Sequence, residues 1–218
     1  MDDAGVAVSA DPAAGLRAAF HRNVDEHQAV IDAVRSGPAL DAACHTAEVI
    51  IDVMRRGGKV ILFGNGGSAA DAMHLAAEFL GRFLIDRRAL AAIALADNHS
   101  AVTAIGNDYG YAEVFSRQIE GLGRPGDVAI GLSTSGGSEN VAAGLRAAHA
   151  GGLVTVAMTG VEAGIVGAAA DIVIAIPTRA TPRVQEGHLL LGHTICEAVE
   201  LAMAASDARP QQPVLATA

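Results

Sequence analysis

Apolar and polar positions change period several times along the chain. Leu16, Phe20, Val24, Val30, Ile31 and Val34 recur at roughly helical spacing and predict a helix over 13–35. Pro38 opens a second helix at its first turn, and Gly57-Gly58 closes it. The period then collapses into short apolar runs. Lys59-Val60-Ile61-Leu62-Phe63 halts at Gly64 and reads as a buried strand. Four similar runs follow, at 91–95, 127–132, 153–158 and 171–176. Helical patterns separate them, over 69–83, over 100–106 with 113–121, and over 139–150, with a fainter one over 161–169. A last long helix spans 183–204, and the Pro/Gln/Ala-rich tail from Ser206 reads as loose.

Strand alternating with helix implies a five-stranded parallel sheet with right-handed crossovers, an α/β three-layer sandwich. Composition agrees. Hydrophobic residues make up 51% of the 218 positions, yet aromatics only 3% and Trp none. The apolar mass is Ala, Val, Leu and Ile, which suits strands covered by helices on both faces. The expected organisation is an N-terminal helical segment over 1–56, an α/β domain over 57–205 and a flexible tail over 206–218.

Charge and cysteine usage narrow the function classes. A net charge of −9 with few aromatics argues against nucleic-acid binding, which needs a basic footprint and often stacking rings. Lys59 is the single lysine. Cys44 and Cys196 stand alone, outside any C-x-x-C pair, and are expected to be buried thiols of a reducing compartment. The chain starts Met-Asp-Asp-Ala, without a basic region ahead of an apolar run, and holds no uninterrupted apolar stretch of ~18 residues. A cytoplasmic protein without a membrane span is the expectation.

In open parallel sheets, ligands bind beyond the carboxyl ends of the strands. Two loops there are unusual. Gly64-Asn65-Gly66-Gly67-Ser68 lets backbone approach a ligand, and the helix after it aims free N–H groups at the loop. A tight strand-to-helix turn would look the same. Ser133-Thr134-Ser135-Gly136-Gly137-Ser138 crowds four hydroxyls and two glycines at another helix mouth, where capping needs only one. Hydroxyls and helical N–H groups together form an anion cradle without a lysine. His74 and Glu78, four apart, share a helix face that can hold a divalent metal, although such a pair is also common on helix surfaces. Gln185, Glu186, His188 and His193 gather early in the last helix, and alone they are equally ambiguous.

Together these residues carry more. Gly64-Asn65-Gly66-Gly67-Ser68-Ala69-Ala70-Asp71-Ala72-Met73-His74 with Glu78 resembles the opening motif of bacterial phosphoheptose isomerases, of the sugar isomerase (SIS) fold. Gly106-Asn107-Asp108-Tyr109-Gly110, Phe115-Ser116-Arg117-Gln118, Gly123-Arg124-Pro125-Gly126-Asp127, Ser133-Thr134-Ser135-Gly136 and Arg183-Val184-Gln185-Glu186 through His193 extend the resemblance in the same order over roughly residues 15–204.

The resemblance implies a flavodoxin-like or Rossmann-like SIS sheet and the conversion of sedoheptulose 7-phosphate to D-glycero-D-manno-heptose 7-phosphate. It implies one zinc per subunit on His74, Glu78, Gln185 and His193, with Glu78 as base and His193 as acid. It implies substrate contacts from Asn65, Gly66, Gly67, Ser68, Glu78, Asn107, Asp108, Ser133, Thr134, Ser135, Ser138 and Gln185. It further implies a homotetramer with sites where subunits meet, packed through the N-terminal helices, whose apolar stripe needs a partner. Some positions depart from the family pattern. Asp97-Asn98-His99-Ser100 replaces Thr-Asp-Thr-Ser, Gly137 stands for Asn, Glu139 for Pro and Pro182 for Ala. Two other readings stay open: a non-catalytic SIS protein that binds a phosphosugar for regulation, and the same isomerisation serving a secondary-metabolite pathway.

Overall fold

The computed structural model describes residues 12–207. It opens with α1 (Pro12–Arg35) and α2 (Pro38–Arg55), which Ser36-Gly37 separates. Strands and helices then alternate: β1 (Val60–Gly64), α3 (Gly67–Leu80), β2 (Ala92–Ala94), α4 (His99–Tyr109), α5 (Ser116–Leu122), β3 (Val128–Ser133), α6 (Glu139–Ala150), β4 (Val154–Thr159), α7 (Gly164–Gly167), β5 (Ile172–Ala175) and α8 (Thr181–Asp207). Short 3-10 turns lie at Leu95–Asp97 and Tyr111–Glu113.

The five strands pair in the order β2-β1-β3-β4-β5, all parallel. The three-layer α/β sandwich expected from the pattern is the fold. Its strand order sends the chain outward from β1 to β2 on one side and then through β3, β4 and β5 on the other. The reversal opens a crevice between the carboxyl ends of β1 and β3. Val60 pairs with Val128 and Gly64 with Leu132, so both strands end level at that crevice.

Side chains alternate across the sheet as the pleat requires. Val60, Leu62, Val128, Ile130 and Leu132 join the core under α2, α3 and α8. Ile61, Phe63 and Ala129 face the other layer, with Val114, Phe115, Ile119, Val141 and Leu145. At the opposite end of the sheet, buried Asp127 accepts from the Lys59 and Arg124 backbone N–H groups and from Lys59 Nζ at 2.5 Å. The single lysine therefore pins the starts of β1 and β3 together.

Three local expectations change. The helix expected over 69–83 stops at Leu80, because the N–H groups of Phe83, Leu84 and Ile85 bond to the Glu200 carboxylate instead of to helical carbonyls. Of the two thiols, Cys196 is buried but Cys44 lies exposed on α2, whose buried face is Ala39, Ala43, Ala47, Ile50 and Val53. The last helix continues through Ser206 to Asp207, and the rest of the expected tail, like residues 1–11, lies outside the described residues.

α8 is long and apolar enough to cross a membrane by length and composition. It packs as a core helix: Val184, Leu191, Ile195, Val199 and Met203 are buried with residues of α2, α3 and the sheet, and Glu200 is buried among them. Burial alone would push the Glu200 carboxyl up; three backbone N–H bonds and Arg87 together hold it below the usual carboxylate range.

Candidate active site

The two loops singled out in the sequence meet at the β1/β3 crevice. β1 ends in Gly64, and Gly66 takes the N-cap of α3 with φ +55°, a conformation that favours glycine. A Cβ on Gly67 would lie 2.2 Å from Gln185 Nε2, so the α8 side chain rests directly on this turn. Ser68 is buried in the first turn of α3. Asn65 and Asn140 exchange two side-chain hydrogen bonds of 2.8 Å, and the Tyr111 hydroxyl donates to Asn65 Oδ1 at 2.9 Å.

On the β3 side, Ser133 is buried and its Oγ lies 2.9 Å from Ser138 Oγ. Ser135 Oγ accepts from the Gly137 N–H at 3.2 Å. Ser138 holds the N-cap position of α6, but its side chain makes no capping bond. The Ser138 hydroxyl therefore leaves the first N–H groups of α6 uncapped. Glu139 in that first turn would oppose an anion; Arg146, two turns on, binds its carboxylate at 2.6 Å. Thr134 lies between these hydroxyls, and its carbonyl accepts from Gly160 N–H.

α3 and α8 bring the third element. His74 Nε2 and His193 Nε2 stand 2.8 Å apart, and Glu78 Oε1 is 3.4 Å from His74 Nε2. One ligand atom from each of the three lies within 4.8 Å of the others. Two imidazole nitrogens and a carboxylate oxygen are a donor set that coordinates divalent metals, zinc among them. The His193 ring is held on two sides. Phe83 stacks on it with centroids 5.3 Å apart and planes at 21°, and the His74 ring meets it edge-on at 5.0 Å.

The remaining positions separate. Gln185 sits against Gly67, at the loop end of α8, and makes no side-chain hydrogen bond among the described residues. Asn107 donates to Asp108 Oδ1 at 2.7 Å, both exposed near the end of α4; the following turn carries Tyr111 to Asn65. Asn98 caps α4 by accepting the Ala101 N–H, while Asp97 and His99 are exposed. Glu186 turns toward α1, where it binds His27 at 2.7 Å and Arg183 at 2.7 Å. His188 is fully buried, and its Nε2–H donates to the Thr159 carbonyl at 3.1 Å. Burial pushes its pKa down to about 4, so it is neutral and structural.

Sequence reasoning missed Asn140, Tyr111, Phe83, Arg87 and Glu200. Tyr111 lies one residue past the Gly106–Gly110 motif and Phe83 just past the Glu78 turn. Asn140 and Glu200 carried no local signal, since their partners lie 75 and more than 100 positions away.

Known proteins share the sequence and fold of this chain. The profile of the SIS domain family matches residues 24–160. A phosphoheptose isomerase of Roseiflexus sp. (strain RS-1) is 49% identical over 179 residues, spanning 81% of this chain and 91% of its own. One from Aquifex aeolicus (strain VF5) is 53% identical over 154 residues, 71% of this chain and 81% of its own. Among solved structures, a phosphoheptose isomerase from Neisseria gonorrhoeae superposes with a TM-score of 0.80 at 38% identity, covering 85% of this chain and 99% of that one. Another, from Francisella tularensis, gives 0.79 at 29%, covering 88% and 99%.

Proposed function

Because the chain belongs to the phosphoheptose isomerases of the SIS family, we propose that it interconverts sedoheptulose 7-phosphate and D-glycero-D-manno-heptose 7-phosphate in the cytoplasm. The observation that carries this reading is the convergence of His74, Glu78 and His193 beside two ligand-ready loops at the β1/β3 crevice.

Isomerisation moves one proton between carbons 1 and 2 through an enediol. Glu78 takes the proton from one carbon and returns it to the other. His193 gives a proton to the carbonyl oxygen and recovers one from the neighbouring hydroxyl, its ring oriented by Phe83 and His74. Asn65, Gly66, Gly67, Ser68, Asn107 and Asp108 line the sugar. Asn65 Oδ1 already accepts from both Asn140 and Tyr111, so Asn65 offers the substrate a donor, its remaining amide N–H. Ser133, Thr134, Ser135, Ser138 and the first turn of α6 hold the 7-phosphate. His74, Glu78 and His193 would hold one zinc per subunit, with Gln185 as a fourth ligand once its side chain turns from Gly67 toward them; the metal when bound supplies Lewis-acid polarisation of the sugar oxygens.

The active form is a homotetramer with sites where subunits meet. Leu16, Phe20 and Val24 support this: they form an exposed apolar stripe on α1, each more than 60% accessible in the single chain.

The test is an aldose–ketose conversion assay on sedoheptulose 7-phosphate with the protein as purified, after chelation, and after zinc is restored. Conversion lost and regained with metal establishes substrate class and cluster together. Absence of conversion in folded protein under all three conditions refutes the isomerase reading and favours a regulatory phosphosugar binder.

A further inference from the structure

Residues 81–91 link α3 to β2 without regular structure, yet two buried charges are committed to them. Glu200 is 1% exposed and lies seven residues, about two turns, beyond His193 on α8. Its Oε1 accepts the Phe83 N–H at 2.8 Å, and its Oε2 accepts those of Leu84 at 2.6 Å and Ile85 at 3.0 Å. The Arg87 side chain is 2% exposed. Its Nη2 donates to the Glu78 carbonyl at 2.8 Å, and its Nη1 to the carbonyls of Phe79, Gly81 and Arg88 at 2.9, 3.0 and 3.0 Å. Arg87 Nε stands 3.3 Å from Glu200 Oε1 as an ion pair, without hydrogen-bond alignment.

Arg87 therefore closes the carbonyl end of α3, and Glu200 takes the N–H groups that follow. Ending a helix does not require this: Gly81 alone can do it, and burying an ion pair carries a desolvation penalty. What the pair specifically places is the turn bearing Glu78 and the ring of Phe83, flat on the His193 imidazole.

We propose that Glu200 and Arg87 are positioning residues for the Glu78/His193 pair, acting through Phe83 and the last turn of α3. This rests on the isomerase reading for its kinetic consequence, but its structural core does not. His193 is confined between the face of Phe83 and the edge of His74. If the 81–87 segment loosens, one wall goes and the imidazole gains rotational freedom, while the phosphate loop on β3 is untouched.

The test compares wild type with Phe83→Leu, Glu200→Gln and Arg87→Lys. Glu200→Gln leaves a buried guanidinium without its counter-charge and can unfold the chain. Arg87→Lys keeps that charge but cannot span the carbonyls of Glu78 and Gly81, so it carries the test if the glutamine variant does not fold. Steady-state kinetics on sedoheptulose 7-phosphate should show kcat reduced about 10- to 100-fold with KM within about twofold. NMR of metal-free, histidine-labelled full-length protein should show the His193 ring protons moving downfield as the Phe83 ring current is lost, in all folded variants alike. A purely structural clasp would lower the melting temperature but leave kcat per folded molecule and the His193 signals where they were, which overturns the proposal. Wild type that turns over nothing refutes the isomerase reading instead, and unmoved His193 signals in the variants then still refute the positioning.

Discussion

The side-chain amides of Asn65 and Asn140 face each other across the β1/β3 crevice and satisfy one another, each donating one hydrogen bond of 2.8 Å. Asn140 is 4% exposed and sits in the first turn of α6, behind the serine loop. The pair fixes which way the Asn65 amide is turned and so which of its atoms a sugar can meet.

Asn140→Ala should therefore act on binding more than on chemistry. The Asn65 amide loses its only side-chain acceptor and is oriented by the Tyr111 hydroxyl alone. KM for the sugar phosphate should rise about tenfold with a smaller change in kcat, and loss of the buried bonds should cost about 1–3 kcal/mol in urea unfolding. Unchanged KM would remove Asn65 from the sugar contacts.

Glu78→Gln should keep the fold and lose the reaction. The amide is isosteric and half-buried on α3, so circular dichroism and melting should be near wild type. Isomerisation should fall by roughly 10²–10⁴-fold if the carboxylate is the base. Normal activity in this variant would take Glu78 out of the mechanism.

Ser133→Ala combined with Ser135→Ala should weaken the phosphorylated sugar by roughly 10²- to 10⁴-fold in Kd, since hydrogen bonds to charged groups contribute about 1.5–3 kcal/mol each and two are lost. Calorimetry with the phosphorylated and unphosphorylated sugars separates the effects: only the phosphorylated one should lose affinity. An equal loss for both would place the phosphate elsewhere.

His188 predicts an acid limb in stability. Its folded pKa is about 4 against 6.5 in the open chain. Between those values the unfolded chain binds the proton and the folded chain does not, so stability falls as pH drops through that window and levels off below about 4. At 1.36 kcal/mol per pH unit the contribution is roughly 3 kcal/mol. His188→Gln, which retains a donor for the Thr159 carbonyl, should flatten the difference between unfolding free energies at pH 7 and pH 4.5. An unchanged difference would assign the limb to other groups.

The parts of this molecule legible in the sequence are those decided locally. β1, β3 and β4 are short apolar runs with sharp stops, and their boundaries shift by only a residue. The two loops were visible because glycine and hydroxyl residues cluster there beyond what a turn or a cap needs. Pairings over long separations were not. The end of α3 is set by Glu200, more than a hundred residues on, which outcompetes the helix for three N–H groups. The exposure of Cys44 depends on which face of α2 meets α8, and an alanine-rich helix announces that face weakly. His74 and Glu78 could be placed on one helix face, but only the packing of α3 on α8 brings His193 to them.

α8 carries Gln185 to the glycine turn, His193 to the cluster and Glu200 to the 81–87 segment on one uninterrupted rod. From the first to the last of these is 15 residues, about 22 Å at the helical rise. One residue gained or lost between them would rotate everything downstream by about 100° and slide it by about 1.5 Å. Substitutions on the outer face of this stretch leave the three attachments in phase; a change in its length cannot. Evolutionary drift in α8 is thereby restricted to replacement, with insertion and deletion confined to its two ends.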